Sequence, residues 1–145
     1  MSGERAERLV AITMRFLALN FAVVGVLFIA TPDGVIEVID DLGDRVGSFA
    51  KGADTEQHLW LALGFAYMTV ITGIALVVSG DVVRFRPLLL VLAAGKAASS
   101  LAAGGFFLRE DVFIYLLNFL VDGSLVGVAL ACWALAGRAE ARAPD

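Results

Sequence analysis

Four long runs of apolar residues dominate the sequence, and each is long enough to cross a lipid bilayer. A membrane-spanning helix needs about 20 mostly apolar residues to cross roughly 30 Å of hydrocarbon. The second run contains no Asp, Glu, Lys or Arg, and each of the others contains one such residue. The pattern predicts a single all-α transmembrane domain over residues 1–145, a four-helix bundle with spans at about 9–30, 58–80, 87–108 and 112–137.

The connection between the first two spans has a different pattern. Pro32 and Gly34 follow the first run and end its helix. From about 34 to 50, apolar residues recur every three or four positions, with carboxylates between them, as in an amphipathic helix. We predict that this helix lies on the membrane surface or caps the bundle. Its carboxylates lack the spacing of a calcium loop, so we interpret them as a solvated acidic face.

The positive charges between the spans predict the orientation, because cytoplasmic connections carry an excess of Lys and Arg. With four spans, both termini and the middle connection share one side of the membrane. That side carries Arg5, Arg8, Arg84, Arg86, Arg138 and Arg142. The other side carries Arg45, Lys51 and Arg109, beside many more carboxylates. We therefore expect cytoplasmic termini.

Two ionisable residues, Lys96 and Asp122, interrupt the third and fourth spans. A charge at the bilayer centre costs about 2.5–3.5 kcal/mol on the insertion scale, so each needs a partner. The connection around Arg109 is very short, which predicts a tight antiparallel hairpin. Lys96 and Asp122 are equally far from Arg109 along the chain, and a constant helical rise places them at the same depth. We predict that they form an ion pair.

Other polar residues fall at similar depths. Ser99 and Ser100 share a helical face with Lys96, and Asn118 shares one with Asp122. The reflection that pairs the two charges also places Ser100 opposite Asn118. The first two spans contribute Asn20 and Tyr67, for which the sequence evidence is weaker. The predicted polar layer comprises Lys96, Asp122, Asn118, Ser99, Ser100, Asn20 and Tyr67.

Three interpretations of this layer remain open. It is a structural clamp that fixes which helix faces which, a pocket for the polar group of a hydrophobic ligand, or a path for protons or ions. A proton relay usually uses more titratable groups than this chain supplies. The tryptophans, Trp60 and Trp133, lie near span ends and are interpreted as interface anchors.

Composition argues against several functions. The net charge of −4 disfavours a nucleic-acid partner. The single histidine, His58, and the single cysteine, Cys132, give no metal-binding spacing, so no metal or cofactor is predicted. No catalytic residue is assigned, since His58 and the midplane serines are too far apart for a Ser-His-Asp set.

In layout the chain resembles small bacterial four-span proteins of the DoxX-like kind. The resemblance rests on length, on Arg15 within the first span and on the Pro32 segment that follows it. It extends over the whole chain and involves no sequence motif, so it transfers no functional residue. It implies a bacterial inner membrane and an association with membrane redox complexes.

Three function classes follow. The leading hypothesis is a non-catalytic subunit or scaffold of a larger membrane complex, with another membrane protein or a second copy as partner. The first alternative is a binding protein or enzyme for a hydrophobic small molecule such as a lipid, a quinone or a sterol-like compound. The second alternative is a small proton- or ion-coupled transporter or channel.

Overall fold

The structure, a computed structural model, describes residues 2–52 and 58–141. Within these ranges the chain is all-α, and four of its helices are long and apolar enough to span a membrane, which confirms the predicted fold class. Arg142, used above for orientation, lies outside the described residues. The helices are α1 (Gly3–Ala30), α2 (Pro32–Val46), α3 (His58–Gly80), α4 (Pro87–Glu110) and α5 (Phe113–Glu140).

The spanning helices α1, α4 and α5 extend beyond the apolar runs that predicted them. The added turns contain good helix formers such as Glu4 and Arg138, so the helical backbone continues past the apolar runs. The amphipathic helix α2 begins and ends earlier than expected. Pro32 occupies its first turn, where a proline is tolerated because that position has no intrahelical N–H bond to lose.

The connection between α4 and α5 is the tight hairpin that the sequence predicted. Asp111 adopts the left-handed conformation with φ of 52°, and its N–H donates to the Phe107 carbonyl at 2.9 Å. Aspartate is among the few residues that tolerate this conformation as a single turn residue. The Asp111 carbonyl also accepts a hydrogen bond from the Ala50 N–H at 3.0 Å, which holds the chain after α2 against the hairpin.

The bundle has two tightly associated pairs, α1 with α3 and α4 with α5, joined by α1–α5 and α3–α4 contacts. Its buried core fills the half that contains the start of α1 and the end of α5. We call this the closed half. Its buried residues include Val10, Met14, Ala75, Val78, Val82, Leu89, Leu92, Ala129, Cys132 and Ala136.

Arg86, which directly precedes α4, links that helix to α5 at the outer end of the closed half. The Arg86 guanidinium lies over the Trp133 ring at 4.3 Å and forms an ion pair with Glu140 at 2.8 Å. Its Nε donates to the Trp133 carbonyl at 3.1 Å. Trp133 therefore joins a contact between two helices, in addition to its predicted position near a membrane interface.

At the opposite end, α2 packs along one edge of the bundle. Gly43 is buried against Phe113, where an added Cβ would lie 2.9 Å from the Phe113 Cβ and 3.0 Å from the first ring carbon. The Asp40 carboxylate accepts the Gly52 N–H at 3.0 Å, which fixes the chain after the helix. Val38 and Val46 remain exposed on another face. The helix thus covers part of the bundle and presents a second apolar edge to its surroundings.

Small residues let α4 and α5 approach closely near their hairpin. A Cβ at Gly104 would lie 3.0 Å from the Phe119 ring, whereas a Cβ at the neighbouring Gly105 would meet nothing within 4 Å. Gly104 and Gly105 offer a matched comparison. Both lie in a helix, so replacing either one by alanine restricts the backbone to the same extent.

Gly105→Ala should stabilise the protein by up to about 1 kcal/mol, the helix-propensity gain. Gly104→Ala should be less stable than Gly105→Ala by about 1–2 kcal/mol, because its methyl group overpacks against Phe119. The free energy of unfolding in mild detergent, followed by circular dichroism, measures both. Equal stability of the two variants would contradict the close approach of the helices at Gly104.

Candidate functional site

The predicted ion pair is present. Lys96 Nζ lies 2.8 Å from Asp122 Oδ1, and both side chains are about 5% exposed. The equal distance of the two residues from the hairpin places them at one depth, and each lies on the inner face of its helix. Hydrogen bonding and opposite charge together stabilise two groups that would each be costly alone in this environment.

Aromatic rings from the other two spans complete the surroundings of the ammonium group. Lys96 Nζ lies 4.8 Å from the centre of the Phe21 ring on α1 and 5.4 Å from the Tyr67 ring on α3. With Asp122 on α5, the lysine of α4 therefore contacts every spanning helix. A desolvated cation over aromatic faces gains about 2 kcal/mol, which helps to offset its burial.

The remaining polar layer joins α4 to α5, with a shift of one residue from the prediction. Ser99, rather than Ser100, meets Asn118: the Asn118 amide donates to the Ser99 hydroxyl at 3.3 Å. The Ser100 hydroxyl donates instead to the Phe119 carbonyl at 2.8 Å. Both contacts bridge the same two helices, so they strengthen the hairpin that carries the ion pair.

Asn20 and Tyr67 lie beside this layer without hydrogen-bonding to it. The Asn20 amide donates to the Phe16 carbonyl of its own helix at 2.7 Å. The Tyr67 hydroxyl is buried, and it has no hydrogen-bond partner among the described residues. Tyr67 instead contacts the Lys96 ammonium group through its aromatic ring.

A cavity of about 650 Å³ borders the polar layer. Ligand-binding pockets commonly measure about 300–1,000 Å³, so this space suits one drug-sized molecule. Its wall is mainly apolar and comes from all five helices. The lining residues are Phe16, Leu17, Asn20, Phe21, Val24, Phe28, Ile39, Trp60, Leu61, Gly64, Tyr67, Met68, Lys96, Ser99, Ile114, Leu117, Asn118, Val121, Asp122 and Leu125.

The cavity occupies the half of the bundle opposite the closed half. It extends from the Lys96–Asp122 pair toward Ile39 of α2 and Trp60 at the start of α3. Phe16 and Trp60 are each 64% exposed although they line it, so the cavity opens to the outside of the bundle. We call this region the open half.

Two primary amides, Asn20 and Asn118, project into this apolar space. Both side chains line the cavity, and both residues are exposed rather than buried. Each amide donates one hydrogen bond, Asn20 to the Phe16 carbonyl and Asn118 to the Ser99 hydroxyl, and a primary amide can form further ones. The polar groups of the open half therefore favour an occupant that can exchange hydrogen bonds with them.

Sequence reasoning placed several polar residues at this site and missed most of its wall. Trp60 was interpreted only as an interface anchor, yet it lines the cavity together with Phe28 and Gly64. The available signal was the mid-depth position of Asn20 and Tyr67. Polar side chains on the first two spans already indicated that those helices face something other than lipid.

The chemical repertoire of the site is narrow. Lys96 and Asp122 carry opposite charges, and the other polar residues that line the cavity are neutral. No group of three or more His, Cys, Asp or Glu residues that could hold a metal ion occurs in the described part of the chain. The arrangement can hold an apolar body and hydrogen-bond one polar group.

Comparison with known proteins adds no assignment. No family model, curated protein or solved structure matches the chain. The resemblance in layout to DoxX-like proteins therefore stays a prediction from the sequence.

Proposed function

We propose that this small membrane protein binds one hydrophobic molecule inside its bundle and places the polar group of that molecule against the intramembrane polar layer. The observation that carries this proposal is the apolar cavity of about 650 Å³ that reaches the Lys96–Asp122 pair and two exposed amides. An apolar pocket with a few convergent polar groups is the usual form of a small-molecule site.

The closed half of the bundle explains why the cavity favours binding over a purely structural role. There, Leu89, Ala129 and Ala136 are completely buried, so this chain can pack its helices without leaving space. In the open half, by contrast, the side chains that line the cavity lack packing partners within the bundle, and a bound molecule would supply them. The scaffold hypothesis stays a prediction from the sequence.

The shape of the cavity also favours binding over passage. It lies on one side of the ion pair, and the closed half beyond contains fully buried apolar side chains such as Val10, Met14 and Leu89. An ion or proton would need polar groups or water through that region. We therefore favour ligand binding over transport as the function of this protein.

Filling the cavity tests the proposal. Gly64 lines the cavity and Gly73 does not, yet an added Cβ meets nothing within 4 Å at either position of α3. Gly64→Leu should weaken ligand affinity about tenfold, equivalent to about 1.4 kcal/mol of lost binding, because its side chain takes space from the ligand. Gly73→Leu is the matched control and should bind normally.

The measurement uses photoreactive long-chain alkyl probes that carry a diazirine near one end. Protein in mild detergent is irradiated with a probe, with or without excess unlabelled compound, and the labelled residues are mapped by mass spectrometry. Labelling that competitor removes, and that falls on cavity residues such as Leu117, supports binding. If the only labelling is that of lipid-facing residues and competitor does not reduce it, the proposed function is wrong.

A further inference from the structure

We infer that the ligand is an electrically neutral amphiphile, with an apolar body and a hydroxyl or carbonyl oxygen at its head. This inference rests on the proposed function and specifies its ligand class. It distinguishes neutral lipids and related alcohols or ketones from molecules whose head is a sulfonate, a phosphate or a quaternary ammonium group.

The charge balance of the cavity supports a neutral head. Lys96 and Asp122 neutralise each other at 2.8 Å, and no other charged side chain lines the cavity. An anionic head would need an unmatched cation, and a cationic head an unmatched anion. Either head would have to break the buried pair or remain uncompensated in a medium where isolated charges are costly.

The hydrogen-bonding groups indicate an oxygen at the head. Asn118 gives one donor to Ser99, but a primary amide has two N–H donors and a carbonyl that accepts. The Asn20 amide likewise gives one donor to Phe16, and it faces the same cavity. A ligand hydroxyl can accept from or donate to either amide, whereas a ligand carbonyl can only accept from their N–H groups.

The walls define where the remainder of the ligand lies. From the amides, the cavity continues between Phe28, Trp60 and Leu61 toward α2. Rigid aromatic side chains offer large apolar contact with little loss of conformational freedom. The polar head therefore lies near mid-membrane and the apolar body extends toward the α2 end, the reverse of a lipid that lies in a leaflet with its head at the surface.

The experiment compares photoreactive probes that share one alkyl chain and one diazirine position and differ in the head. The neutral probes are a primary alcohol and a methyl ketone, and the charged ones are an alkyl sulfonate and an alkyltrimethylammonium. Each is tested on the full chain in the same detergent, with unlabelled alcohol as competitor. We expect competable labelling of cavity residues by a neutral probe to exceed that by either charged probe about tenfold.

Asn118→Leu removes the amide and keeps the side-chain size, so it should lower neutral-probe labelling about tenfold. Ser124→Ala is its control, because Ser124 is exposed on α5, bonds the Val121 carbonyl of its own helix and does not line the cavity. Circular dichroism verifies that both variants fold. If Asn118→Leu does not fold, Asn20→Leu replaces it, with the same expected loss.

The outcomes separate this inference from the proposed function. If a charged probe labels the cavity as well as the alcohol does, the neutral class is wrong and the binding function stands. If a folded Asn118→Leu or Asn20→Leu variant labels normally, the placement of the head at the amides is wrong. If no probe gives competable labelling, both the inference and the proposed function fail.

Discussion

Lys96→Met should destabilise the folded protein by about 3–5 kcal/mol, the typical effect of removing one partner of a buried ion pair. Methionine has a similar length and fills much of the space, so loss of packing is small. The main cost arises because the Asp122 carboxylate is left 4% exposed without its cation. The free energy of unfolding, from denaturant titration in mild detergent with circular dichroism, measures the change.

A double-mutant cycle separates the charge effect from packing. Lys96→Met combined with Asp122→Leu should recover most of the lost stability, because apolar replacement of a buried ion pair is often neutral or stabilising. Arg15→Met serves as the control for loss of a charge, since Arg15 is exposed on α1 and should cost little. If the two single changes simply add in the double variant, the pair does not stabilise the bundle as a unit.

The double variant also distinguishes a clamp from a pocket. A folded double variant that still shows competable labelling would mean that the ion pair only orients α4 and α5. A folded variant that loses the labelling would mean that the charged pair takes part in recognition of the ligand.

The ion pair could be predicted from the sequence because it depends only on regular geometry. Two helices leave one tight turn with the same rise per residue, so equal distances along the chain give equal depths. The same reasoning was wrong by one residue at the next contact. It placed Ser100 opposite Asn118, but Ser99 forms the hydrogen bond with Asn118. Equal depth does not fix how each helix is rotated about its axis, and that rotation selects between neighbouring serines.

The cavity could not be predicted because apolar side chains look alike in lipid, in a core and in a pocket. Phe16 and Met14 lie two positions apart on α1, yet Met14 is completely buried and Phe16 lines the open cavity. Their surroundings depend on how α1 and α3 meet the hairpin of α4 and α5. That arrangement follows from packing across the whole bundle, and the hydropathy of one helix carries no information about such packing.

The division of the bundle into a closed and an open half gives the last prediction. Leu89→Ala should lower the unfolding free energy by about 2 kcal/mol or more, because Leu89 is fully buried in the closed half and its loss leaves a void. Leu117→Ala, the matched change at the cavity wall, should cost clearly less, because Leu117 already borders open space. Denaturant titration of both variants in one detergent makes the comparison. Equal losses would mean that the two halves are packed alike and that the cavity closes in the folded protein.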